Sequence, residues 1–320
     1  MRCIIIFSFV LLVTQATLFA QGDSSYIYPL ADKLALQSYI SGKYTSLAFV
    51  DPLDNEVYGY LPNTHLKLGI GGMWKALAVR MAFGFGFLNG EDKGKTNSFD
   101  MQLHYYGRKW IIDLFWQNYM GFYMEYPEKS NHYILRPDMK IRQYGVLVQY
   151  VFNYRKFSLS AAFEQDEWQK RSSGSLHAGL GVYYNVLASD SSFLINGSIK
   201  TAQRLRSTLV GPNIGYTYTV VLFHHFFITP SLSVGLHLGI EPAGNGKKSK
   251  TGLYPGLFPR IAMGYNSERW ALCLSLVNNE IASARSEDVI LDINTGNILL
   301  TFSWRIDFHP KIPGILESIL

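Results

Sequence analysis

A few groups of side chains in this sequence have the types and spacing to do chemistry. Strand-like alternation places Arg80, Asp100, His104, Asp113, Gln143 and Gln149 on the same side of successive segments. Opposite charges on neighbouring strands can pair. In a water-filled passage such a group would act as a selectivity zone. In a narrow interior it would serve as salt bridges that hold the walls together. His65, Lys67, Arg305 and Asp307 form a second such grouping, near the place where an early strand would meet the last one. Catalysis needs a base within hydrogen-bond reach of a nucleophile. His104 and Asp100 share a strand face but would lie about 13 Å apart along it. The adjacent His224 and His225 would point in opposite directions. The sequence has no H-E-x-x-H, no G-x-S-x-G and no close acidic metal cluster. Gly69, Gly71 and Gly72, like Gly84 and Gly86, do not open a helix and so make no phosphate cradle. Neither an enzyme nor a cofactor or metal site is expected, and a hydrolase on the rim of a barrel is the remaining catalytic alternative.

The elements that must position these residues are strands. Ile298, Leu300, Phe302, Trp304, Ile306 and Phe308 alternate with Leu299, Thr301, Ser303, Arg305 and Asp307. Leu176, Ala178, Leu180 and Val182 alternate with His177, Gly179 and Gly181. One face is large and apolar, and the other is small or polar. A soluble sandwich carries charge on its outer face, whereas a membrane barrel turns the apolar face to lipid and the polar face inward. Tight connections at Gly72-Met73, Gly107-Arg108, Asn153-Tyr154-Arg155, His224-His225 and Asn266-Ser267-Glu268 alternate with longer polar stretches such as 125–138 and 241–255. The pattern predicts an all-β, transmembrane, antiparallel up-and-down barrel of about fourteen strands, with twelve as the alternative. Its strands include 43–51, 64–72, 75–87, 97–106, 156–167 and, weakly, 193–200. The segment Gln203-Arg204-Leu205-Arg206 reads as a basic loop or a short plug.

Composition agrees. The 320 residues are 48% hydrophobic, 15% aromatic and only 17% charged, which excludes a disordered chain. Two cysteines exclude a disulfide scaffold. The net charge of +5 is too weak to imply nucleic acid. Residues 1–20 read as a signal peptide, with Arg2, an apolar run from Ile4 to Val13, and Ala20 before Gln21. Cys3 would leave with it, and Cys273 would remain alone. Residues 21–42 then form an N-terminal periplasmic segment, 43–308 the barrel, and 309–320 a periplasmic tail. The expected location is the outer membrane of a Gram-negative cell, in contact with its lipid. The aromatic-ended last strand would be the signal to the barrel-assembly machinery.

The run Phe83-Gly84-Phe85-Gly86-Phe87-Leu88-Asn89 leads into Asp92-Lys93-Gly94-Lys95-Thr96. Tyr106-Gly107-Arg108-Lys109-Trp110, Arg136-Pro137-Asp138, Phe163-Glu164-Gln165, Trp168-Gln169-Lys170 and His225-Phe226-Phe227-Ile228-Thr229-Pro230 follow in order. Together these resemble the bacterial domain of unknown function 4421 family over about residues 30–308. The resemblance implies an outer-membrane-type barrel and carries over no catalytic or binding residue. The leading functional expectation is a porin-like channel or transport barrel for small solutes or lipid. A plugged structural or assembly barrel without transport is the alternative.

Overall fold

The computed structural model describes residues 22–30, 32–50, 57–64, 66–74, 77–84, 91–125, 132–191, 204–241, 250–285 and 290–308. The signal-peptide reading, the tail 309–320, the strand expected at 193–200 and His65 lie outside these residues.

Strands in chain order are β1 (Ile27–Pro29), β2 (Lys33–Val50), β3 (Val57–Tyr60), β4 (Lys67–Trp74), β5 (Leu77–Gly84), β6 (Asn97–Tyr106), β7 (Trp110–Glu125), β8 (Tyr133–Val151), β9 (Glu167–Gln169), β10 (Ser173–Ala188), β11 (Arg204–Leu222), β12 (Phe226–Glu241), β13 (Lys250–Asn266), β14 (Trp270–Arg285) and β15 (Ile290–Asp307). Among the described residues one short α-helix, α1, spans Leu159–Phe163. All ladders are antiparallel. The main sheet runs β5-β4-β2-β15-β14-β13-β12-β11-β10-β8-β7-β6, with β3 added beside the outer half of β2. The strands joined by tight turns define a turn end, and the opposite end is the outer end.

The expected closed barrel is not formed. β5 and β6 are both free edges, and they stand 14 Å apart. Alternation decides which face a side chain takes, but not whether the two edges of a sheet meet. Closure needs tilt and stagger that agree around the whole circuit. Here the long β2 divides its free side between two partners: Leu34–Ser41 pair with β4, and Leu47–Val50 pair with β3. Past β3 a single bridge, Leu61 to Tyr123, reaches β7 at the outer end. Asn63 reinforces it, with its backbone N–H donating to Thr96 Oγ1 (2.8 Å) and its side chain donating to the Gly94 carbonyl. Thr96 in turn donates to the carbonyl of Gly121, whose positive φ of 90° marks the bulge in β7. Below this stitch the sheet is open.

Strand bounds also differ from the pattern. β2 begins at Lys33, β4 continues through Gly72-Met73 to Trp74, and Arg204 onward belongs to β11 rather than to a loop or plug. The segment expected as a strand over 156–167 turns inward instead. Leu159, Ala162 and Phe163 recur at helical rather than alternating spacing, and the Ser158 hydroxyl caps the helix by accepting from the Ala161 N–H. The helix packs inside the turn end of the sheet. Phe157, Leu159, Ala162 and Phe163 meet Tyr106, Ile111, Val151, Phe227, Ala262 and Cys273.

Outward and inward faces follow the expected alternation through the middle of the sheet. Ile298, Leu300, Phe302, Trp304 and Ile306 are exposed, while Thr301, Ser303 and Arg305 are buried. Towards the outer end the sense inverts. Leu47, Phe49, Tyr60, Tyr119, Met139, Ile141, Leu291 and Ile293 form an apolar core inside the sheet, and Arg142 and Arg206 lie on its outside.

Candidate functional site

The polar interior is built from inward positions that face one another across strands. His104 on β6 stands directly opposite Asp113 on β7, and its Nδ1 lies 2.6 Å from Asp113 Oδ1. The other carboxylate oxygen accepts from Arg260 Nη2 on β13 at 2.7 Å. Arg260 also reaches the Tyr106 hydroxyl and lies over that ring. Both oxygens of Asp113 are therefore engaged, as a buried charge requires. Asp100 pairs with Lys43 Nζ at 3.1 Å and accepts from the Tyr119 hydroxyl (2.6 Å) and the Gln117 amide (3.2 Å).

Other inward residues form neutral ladders. Gln149 donates to Asn213 Oδ1 at 2.6 Å, and Gln143 donates to Asn185, which reaches Ser283. His177, Thr217 and Ser231 form a chain across β10, β11 and β12. The first sequence grouping thus resolves into separate pairs rather than one ring. Arg80 sits on β5 opposite Gly71, on an edge with no ladder to β6, and its side chain lies outside the described residues. The pairing considered for His104 with Asp100 is replaced by the cross-strand pair with Asp113.

The second grouping is also not one cluster among the described residues. Asp307 pairs with Lys33 at the turn end. Lys67 lies further up, opposite Ser41. Arg305 turns inward, donating to the carbonyls of Ser267 and Gln165 and to Asn266 Oδ1. It clamps the inner segment 153–172 to the end of the sheet.

That segment and the N-terminal residues make a cap across the turn end. β1 pairs with β9, and the Asp23 N–H donates to the Arg155 carbonyl. Arg108 pairs with Glu167 at 2.8 Å. Ser160 donates to Asp166. Burial, and then the neighbouring Glu167 and Glu164 charges, push the Asp166 carboxyl up to about 8, against the pull of Ser160 and Arg108. His225 is stacked between Trp168 and Tyr265, and its Nδ1 faces the Asn266 carbonyl. The Cys273 thiol is buried and donates to the Ala162 carbonyl of α1. Among the described residues no group of His, Cys, Asp or Glu could hold a metal ion, and no helix is long and apolar enough to cross a membrane.

Sequence reasoning missed Arg260, Lys43, Arg108 and the whole cap. Arg260 had a usable signal. It lies in phase with Tyr254, Phe258 and Ala262 on an apolar strand, and a charge there is far cheaper inside than against lipid. The cap had only the helical spacing of Leu159, Ala162 and Phe163.

Aromatic side chains gather near the turn end. Trp110 meets Tyr150, which meets Phe152 and Tyr154; Tyr265 stacks on Trp270; Trp74 meets Phe308. Lys109 and Arg155 lie over Tyr154, and Lys156 and Arg171 over Tyr26.

Residues 21–305 match the family described as Domain of unknown function (DUF4421). No curated protein sequence matches the chain. Among solved structures it is similar to the outer membrane protease OmpT from Escherichia coli, at 7% identity and a TM-score of 0.38, covering 86% of this chain and 97% of that one. It is similar at lower scores to the outer membrane protein OprG from Pseudomonas aeruginosa (9% identity, TM-score 0.22, 87% and 98% covered). The Pseudomonas putida toluene transporter TodX gives 8% identity, a TM-score of 0.22, and 90% and 94% coverage.

Proposed function

This chain belongs to the DUF4421 family, and we propose that it is an outer-membrane β-sheet protein with a filled interior, structural or assembly-related rather than conducting. The observation that carries this reading is the packing of the interior at both ends. The outer end holds the apolar core around Phe49, Tyr60 and Ile141. The turn end holds α1 with Phe157 and Phe163, clamped by Arg305. Between them Tyr183, Tyr254, Phe258 and Ile281 form a third packed layer. A solute-conducting path would have to displace all three.

Membrane residence is supported by the exposed apolar band and the aromatic belt. Exposed Leu232, Val234, Leu236 and Leu238 and their neighbours cover the outside of the middle of the sheet, as a lipid-facing surface requires. Tyr and Trp at the turn end suit an interface, where rings and cations can reach headgroups. Strands of 16–19 residues exceed the roughly 9–11 a bilayer needs, so the outer end with Arg142 and Arg206 would stand clear of the lipid. Export through a signal peptide at residues 1–20, and insertion by the assembly machinery through the last strand, belong to the same proposal.

Conductance in planar bilayers tests it. The purified protein is expected to be silent under voltage, and steady single-channel steps would return the channel reading.

A further inference from the structure

We propose that the gap between β5 and β6 is the docking seam for one β-hairpin of a partner protein. The inference rests on the membrane reading above. Neighbouring strands lie about 4.8 Å apart, so a 14 Å separation is three spacings and, among the described residues, leaves room for two strands. Direction agrees with that number. β5 rises from the turn end, where Leu77 faces Trp74, and β6 returns to it at Tyr106. An antiparallel filler between strands of opposite direction must have an even number of strands.

The edges also state the chemistry of the occupant. Met81 and Phe83 on one side and Phe99, Met101 and Leu103 on the other are exposed and face outward. Gln102 and His104 line the small cavity behind β6, and two buried groups there, Gln117 Oε1 and the Tyr183 hydroxyl, have no hydrogen-bond partner. A fitting hairpin has strands of 8–10 residues, matching β5 and β6. It alternates large apolar side chains outward with small polar ones inward. Open sheet edges do not persist in hydrocarbon, because their N–H and C=O groups have no water to bond. The stitch at Leu61 and Tyr123 closes the outer end of the gap, so the hairpin enters from the lipid or from the turn side.

The test uses the full chain in native membranes. A Met81→Cys, Met101→Cys pair is oxidised mildly, and benzophenone side chains are placed singly at Met81, Leu103 and, far from the seam, Phe302. The expected result is no disulfide, lipid adducts at Phe302, and adducts from Met81 and Leu103 that map to the two strands of one alternating hairpin in a single partner chain. Rapid disulfide formation would mean that β5 and β6 pair directly, and would overturn the proposal. So would seam adducts to lipid alone, to a second copy of this chain, or scattered over many proteins. Absence of lipid adducts at Phe302 would sink the membrane reading itself, and this proposal with it.

Discussion

The two halves of strand β8 solve opposite problems with one alternation. Near the outer end Met139 and Ile141 are buried inside the sheet, while Arg142 is exposed. A few residues on, Tyr144 and Val146 are exposed and Gln143 and Gln149 are buried. β11 repeats the inversion. Arg206 is outside and Leu209 inside at one end, and Ile214 and Tyr216 are outside with Asn213 and Thr217 inside further down. The alternation does not change between the halves; the chemistry of its two faces does. The outer half has an apolar core and charged residues outside, and the lower half has an apolar outside and a hydrogen-bonded interior.

Substitutions can break this contrast. The largest effect is expected inside the lower half. Arg260→Ala leaves the buried Asp113 carboxylate with His104 alone, and breaking a buried pair costs about 3–5 kcal/mol. A large drop in the urea midpoint of the folded protein in detergent would be the readout. In the outer half the same kind of loss should come from an apolar deletion instead. Ile141→Ala is expected to cost about 2–5 kcal/mol by leaving a cavity, read by the same titration. If Ile141→Ala were tolerated, the outer core would not be a packed one.

The outward faces separate the halves more sharply. Leu300→Arg puts a charge on the exposed apolar band and, if the proposed membrane placement holds, should cost about 2–4 kcal/mol near the bilayer midplane. Arg206→Leu, on the outer half, is expected to change stability by no more than about 0.5 kcal/mol. Equal costs at the two sites, measured as folding yield into vesicles, would erase the distinction.

A pH-dependent effect comes from the cap. Burial and the neighbouring Glu167 charge push the Asp166 carboxyl up to about 8 in the folded chain, above the unfolded value near 4. The folded state therefore binds the extra proton, and the cap's contribution is greatest in acid and declines as pH rises from about 4 to about 8. Asp166→Asn should remove that slope. Thermal unfolding of the two proteins between pH 5 and pH 9 would show parallel curves if Asp166 were not the source.

How much of this was readable varies with the range of the interaction. The outward face of β15, from Ile298 to Ile306, was legible because alternation is a local property of a strand. The inward placement of Asp113, Gln143 and Gln149 was legible for the same reason. Their partners were not, since His104 meets Asp113, and Arg260 meets it from the other side, only once register and strand order exist. The segment 156–167 differs from the expected strand because its apolar residues suit either a strand or a buried helix, and the choice came from the space inside the sheet.

The sequence by itself determined the all-β class and the two-faced strands, because each is written in residues close together in the chain, and the family, because its motifs follow one another in order along the chain. Tertiary structure alone decided that the sheet stays open between β5 and β6, that its outer half is inverted, and that α1 fills its turn end. Each depends on distances between residues far apart in sequence, which a periodic pattern does not encode.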